Sequence, residues 1–160
     1  MLSLYGLDSL SNTPFRSHKQ TNYEGGISAP LIAWWPGVVK AGQISAELSH
    51  ITDITATVFD VSGQNYPEAF DNRTVAPMDG KSLRPVLEGK PRNGHESLCW
   101  ATSGHKAVRI ANWKLVAAPK GKWQLYDLSE DRAETRDLSS AHPERVAEMN
   151  EVFEQWQKAR

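Results

Sequence analysis

Pro14-Phe15-Arg16-Ser17-His18-Lys19-Gln20-Thr21-Asn22-Tyr23-Glu24-Gly25-Gly26-Ile27-Ser28-Ala29-Pro30 runs directly into Leu31-Ile32-Ala33-Trp34-Trp35-Pro36-Gly37. Lys19 is a cation on a polar loop, Glu24 orders a tight turn made by Gly25-Gly26, and Pro30 opens an apolar run that Pro36-Gly37 closes. A continuous apolar run between turn signals predicts a strand, Leu31 to Trp35, buried on both faces as in a parallel sheet. A charged loop beside such a strand is where open α/β sheets place ligands.

Downstream, Leu48, Ile51, Ile54, Val58 and Val61 recur at three- and four-residue spacing, which predicts a helix from Ala46 to Val61 with Gly63 as its cap. Residues 64–80 are rich in Pro, Asn and Asp and read as a surface loop. Ser82 to Leu87 predicts one or two helical turns with Pro85 in the first, and Lys90 to Glu96 a linker. The period then changes. Leu98–Ala101, Lys106–Ile110, Trp113–Ala117 and Trp123–Tyr126 are short aromatic and branched runs separated by Ser103-Gly104, Ala111-Asn112 and Pro119-Lys120-Gly121. They predict an antiparallel meander of four strands, with Asn112 suited to a positive φ in its turn. Pro143 opens a last helix whose stripe of Val146, Met149, Val152, Phe153 and Trp156 covers one face of the meander.

The charge is balanced, 18 basic against 19 acidic residues, so nothing calls for nucleic acid or a membrane surface. No segment has the length of an apolar membrane span, and Met1 to Leu10 lacks the pattern of a signal peptide. The single Cys99 excludes an internal disulfide. Six Trp residues allow a sugar-stacking module, although core and sheet packing is the more common use of such residues.

Several segments together resemble the sulfatase family of the alkaline-phosphatase-like superfamily. They are Thr13-Pro14-Phe15-Arg16, Lys19, Tyr23-Glu24-Gly25-Gly26, Ala29-Pro30-Leu31-Ile32 and Trp35-Pro36-Gly37, then His50 to Gly63, Asp79-Gly80-Lys81-Ser82-Leu83, Ala107-Val108-Arg109, Trp113-Lys114-Leu115-Val116 and Leu125-Tyr126-Asp127-Leu128. The resemblance implies the final third of a sulfatase: an α/β fold in which residues 1–89 end the catalytic domain and residues 90–160 form a four-stranded antiparallel sheet packed on a C-terminal helix. It implies hydrolysis of a sulfate ester, with a sulfated small molecule or glycan as substrate and Lys19 contacting the sulfate group. Arg16 and His105 are candidate substrate-pocket residues, Arg16 being as well suited to a structural ion pair. His18 is read as a bystander, and His50, His95 and His142 as surface or capping residues.

The family's other parts do not match. Its formylglycine arises in a Cys/Ser-x-Pro-x-Arg motif, and Cys99 sits in Leu98-Cys99-Trp100-Ala101. Its calcium needs converging hard oxygens, whereas Asp53, Asp60, Asp71 and Asp79 are scattered singly. This chain is therefore expected to hold no metal by itself, to need a further sulfatase region as partner, and to be inactive alone. Many relatives carry Trp-Glu-His-Glu-Gly-Asn at the first meander turn; here it reads Trp100-Ala101-Thr102-Ser103-Gly104-His105, which implies a roomier, less charged pocket. Family members are commonly periplasmic or secreted, and the missing export signal departs from that. Three alternatives stay open: an inactive or partner-binding remnant, a phosphomonoester or phosphonate hydrolase of the same superfamily, and a Trp-lined sugar-binding module.

Overall fold

The computed structural model describes residues 11–160. The expectation that Met1 to Leu10 lacks an export signal lies outside the described residues. In chain order the elements are α1 (Glu24–Ile27), α2 (Thr52–Ser62), β1 (Ala69–Phe70), β2 (Arg73–Thr74), α3 (Arg84–Leu87), β3 (Leu98–Thr102), β4 (His105–Ile110), β5 (Trp113–Ala117), β6 (Gln124–Asp127) and α4 (Pro143–Lys158). They form two compact units. Residues 11–30 join Glu96–Arg160 in one, and Leu31–His95 form the other. Residues 11–30 belong with the meander because Tyr23 packs into its core, so these compact units are drawn differently from the division at 89/90 read from the sequence.

The first unit is the four-stranded antiparallel meander, in the order β3-β4-β5-β6. Its register pairs Trp100 with Ala107, Ala107 with Val116, and Val116 with Gln124. Strand alternation then divides the side chains between two faces. Val108, Leu115 and Leu125 meet Met149 and Phe153 of α4, with Cys99, Ile110, Trp113, Trp123, Val146, Val152 and Trp156 around them. Trp123 and Phe153 meet edge-on with ring centroids 5.6 Å apart. The expected apolar stripe of α4 is thus the stripe that covers the sheet. On the opposite face Ala107, Val116, Tyr126 and Leu128 enclose Tyr23, with Trp100 at the margin. β5 has the expected bounds, β3 and β4 run one residue longer and β6 is shifted by one, an ordinary fraying of boundaries. Ala111, rather than Asn112, takes the positive φ of its turn, at 50°.

In the second unit, α2 begins at Thr52 rather than Ala46 and ends at Ser62, one residue past Val61, with Gly63 at φ 67° as the expected cap. A left-handed residue here lets the Gly63 and Gln64 amides reach back to Asp60 and Phe59 carbonyls. α3 carries Pro85 in its first turn, as expected. Asp71 and Asn72, both at positive φ, form the turn of the small β1–β2 hairpin inside the expected loop.

Two expectations fail in this unit. Leu31 to Trp35 forms no strand, and Ile32 and Trp34 are 91% and 87% exposed. A parallel strand exists only when neighbours take its backbone hydrogen bonds, and no described residue supplies them. The stripe Ile51, Ile54, Val58 and Val61 is exposed as well, while Asp53 and Ala56 are the buried residues of α2.

Candidate functional site

Lys19 stands at the second position of a turn closed by the Thr21 amide on the His18 carbonyl (3.3 Å), and the Thr21 hydroxyl donates to the same oxygen (2.8 Å). Gln20, at the third position, has φ 76°, the backbone of a type II turn. Lys19 itself is exposed.

What holds this turn in place is the Gly-Gly pair. The Gly25 amide donates to the Arg16 carbonyl (2.8 Å). A Cβ on Gly25 would fall on the carbonyl oxygens of Arg16 and Ser17, and one on Gly26 on those of Thr21 and His18. Only glycine lets the two backbones approach so closely. The turn is thereby pressed onto the first helical turn of α1, and α1 onto the sheet.

α1 is anchored by buried charge. Lys114, alone among the inward residues of β5 in carrying a charge, has no exposed side-chain surface. Its Nζ lies 2.8 Å from Glu24 Oε1 and 2.8 Å from Glu134 Oε1. The second carboxylate oxygen of Glu134 accepts the Glu24 backbone N–H at 2.7 Å. Burial pushes the Glu134 carboxyl above its ordinary range, with the Lys114 ammonium opposing. Glu24 does order the turn, as read from the sequence, but it does so from inside a buried ion triad.

Arg16 makes contacts of a holding kind. Its guanidinium donates to the Tyr126 hydroxyl (2.8 Å) and to the Glu134 carbonyl (3.2 Å), and it stacks 4.3 Å from the centre of the Tyr23 ring. Burial pushes the Tyr126 phenol up to about 12, with Arg16 opposing. Tyr23 donates to Gln124 (2.6 Å), and the Asn22 amide to the Trp100 carbonyl (3.2 Å). His105 meets the other side of this cluster, its ring edge-on to Tyr23 with centroids 6.4 Å apart. Arg16 and His105 are thus brought together on Tyr23, while Lys19 projects outward.

The second unit has its own polar centre, which the linker and capping readings missed. Asp53, fully buried, accepts from the amides of His50 and Lys81 (both 2.9 Å), from Arg92 (3.0 Å) and from the His95 ring (2.7 Å). Burial alone would push its carboxyl up. The Lys81 and His50 amides, then His95 and Arg92, outweigh it and hold it at about 2. The Asp79-Gly80-Lys81 segment is locked to α2 here, since a Cβ on Gly80 would fall on the Thr52 carbonyl. Asp60 is engaged by Ser82 (2.6 Å) and Arg84. Among the described residues no group of three or more His, Cys, Asp or Glu stands close enough to hold a metal ion. Among the described residues, Asp53 and Asp60 are committed to cations, amides and hydroxyls, which leaves neither available to the calcium that the resemblance implies. The Cys99 thiol is pushed up to about 11 by burial, which opposes the thiolate a nucleophile needs.

No signal in spacing marks Glu134, whose partners Glu24 and Arg16 lie 110 and 118 residues away. Lys114 could have been noticed, since a charged residue at an inward position of a central strand must find a counter-charge.

Residues 16–159 match the family described as N-sulphoglucosamine sulphohydrolase, C-terminal. A protein of Schizosaccharomyces pombe named an uncharacterized sulfatase is 32% identical over 153 residues, which are 91% of this chain and 27% of that protein. Human N-acetylgalactosamine-6-sulfatase is 43% identical over 108 residues, 64% of this chain and 20% of the enzyme. A solved structure from work on glycosaminoglycan metabolism by Bacteroides thetaiotaomicron superposes with a TM-score of 0.72 at 28% identity, covering 90% of this chain and 32% of that one. The chain therefore spans about a third or less of the length of the relatives it matches. With residues 16–159 matched by the family, and with 90% of the chain superposed on that structure, the chain belongs to the sulfatase family and carries a C-terminal portion of it.

Proposed function

We propose that this chain works as the C-terminal part of an enzyme that hydrolyses a sulfate ester, and that Lys19 contacts the sulfate group. The observation that carries this reading is that Lys19 is exposed on a turn whose backbone is fixed from beneath by Gly25 and Gly26. A held ammonium meets the charge that builds on sulfate oxygens without reorganising at the moment of reaction. Arg16 and His105 flank it through Tyr23 as part of a pocket wall. The names of the human and bacterial relatives support a sulfated sugar or glycan as the substrate class. The nucleophile, and calcium if the reaction uses it, would come from outside the described residues, where no His, Cys, Asp or Glu group is set to hold a metal ion and burial disfavours the Cys99 thiolate.

The test is hydrolysis of a chromogenic aryl sulfate and of sulfated hexosamines by a polypeptide carrying this chain together with a nucleophile-bearing sulfatase region. Lys19→Ala is expected to lower kcat/KM by about 100-fold, the scale of losing one charge-stabilising donor. A loss under about threefold would refute the role.

A second reading has one observation in its favour. Leu31, Ile32, Trp34, Ile54, Val58 and Val61 are exposed apolar residues of one unit. A chain presenting such a surface is suited to bind a complementary sulfatase fragment, and by itself it would be catalytically silent. Absence of turnover by the 160 residues alone, with turnover on adding that fragment, is the expected result. Turnover by the chain alone would overturn it.

A further inference from the structure

We propose that Glu134 is the positioning residue for Lys19, an inference that rests on the sulfate-contact reading above and extends it to a residue that touches no substrate. Glu134 holds both ends of segment 16–24 at once. Its carbonyl oxygen accepts from Arg16 Nη1 (3.2 Å) at one end, and its carboxylate accepts the Glu24 amide (2.7 Å) at the other. The Arg16 carbonyl then receives the Gly25 amide, which closes the segment into a clip with Lys19 near its middle.

Three features mark Glu134 as built for this. It is 1% exposed, an extreme for a carboxylate. Its backbone has φ 56°, a conformation that a non-glycine residue keeps only when its surroundings impose it. Its other carboxylate oxygen lies 2.8 Å from Lys114, so the clip is tied to the centre of β5. Positive φ turns the Glu134 carbonyl toward Arg16 while its side chain reaches Glu24, and both contacts depend on that one residue.

The experiment is amide hydrogen exchange on the whole chain, wild type against Glu134→Ala, followed by turnover in the polypeptide that carries the nucleophile. In E134A, exchange at Thr21, Glu24 and Gly25 is expected to accelerate at least about tenfold, with Ala107 and Val116 in the sheet within about threefold. A uniform acceleration that includes Ala107 and Val116 would make Glu134 a general stabiliser and overturn the proposal, as would unchanged exchange at Thr21 and Gly25. Where E134A fails to fold, Glu134→Gln replaces it. That variant keeps an acceptor for the Glu24 amide, so Thr21 and Gly25 should stay within about threefold of wild type; loss of protection there would overturn the proposal. In turnover, E134A should lower kcat/KM at least about tenfold, with no further loss when Lys19→Ala is already present. Full additivity of the two losses would overturn it. If Lys19→Ala alone leaves turnover intact, the sulfate-contact reading fails, while the exchange result still reports on the clip.

Discussion

Replacing Lys114 by Met isolates the buried triad and has a calculable consequence. The ammonium lies 2.8 Å from carboxylates of both Glu24 and Glu134, and all three residues are buried. Removing one member of a buried ion pair costs about 3–5 kcal/mol, because the remaining charge is left uncompensated. Here two carboxylates are left. For a chain of this size 1 kcal/mol moves the midpoint by roughly 2–4 °C, so a fall of about 10 °C or more is expected. The pH dependence gives a second, independent handle. Without the cation, burial and the neighbouring Glu24 carboxylate push the Glu134 carboxyl further above the unfolded value of about 4.3. The folded variant then binds more protons than the unfolded chain, and its stability rises as pH falls from about 8 toward 5. Wild type carries the same sign in weaker form, since Glu134 is already pushed up by burial against Lys114. Denaturant unfolding, read by exchange of the central β4 and β5 amides, measures both effects. Adding Glu134→Gln to Lys114→Met should recover part of the loss, on the order of 1–3 kcal/mol. A loss below about 1 kcal/mol, or a variant that weakens further as pH falls from 8 to 5, would refute the account of the triad.

Other perturbations probe separate parts. Asp53→Asn should destabilise the second unit by about 3 kcal/mol, since Arg92 loses its buried counter-charge; melting followed by Trp34 and Trp35 fluorescence reads it. In wild type the Asp53 carboxyl is held at about 2, below its unfolded value, so its contribution of about 2 kcal/mol is full above pH 4 and is lost as pH falls toward 2. Acid titration should therefore destabilise wild type more steeply than the Asn variant. Ala111→Gly should stabilise the meander by about 0.5–1 kcal/mol, because Gly relieves the positive φ at slightly greater unfolded-state entropy; a loss of stability would show that φ 50° is not strained there. Gly26→Ala should release the Lys19 turn by driving a methyl onto backbone carbonyls, with accelerated exchange at Thr21 as the readout.

The meander and its covering helix were legible because their signals are local. Period-2 strands, two-residue turns and the i, i+3, i+4 stripe of α4 depend on neighbours within a few positions. The same local logic misled at Leu31–Trp35 and along α2. There the apolar pattern was real, but burial requires a partner surface, and periodicity states only that a face is apolar, never what covers it. The Lys90–Glu96 segment looked like a linker for the reverse reason: Arg92 and His95 are polar in sequence yet complete the site of Asp53, about forty residues away.

For the candidate site, residue identities alone determined that Lys19 sits beside a glycine pair and that Tyr23-Glu24 follows it, which was enough to single out the turn. Only the tertiary structure decided why that turn is rigid. Lys114, Glu134 and Tyr126 come from strand and loop positions roughly 90 to 118 residues distant, and they converge because sheet alternation turns Lys114 and Tyr126 toward the same face. A buried charge must be matched wherever the chain brings its partner, and that obligation acts through space, so no spacing along the sequence records it.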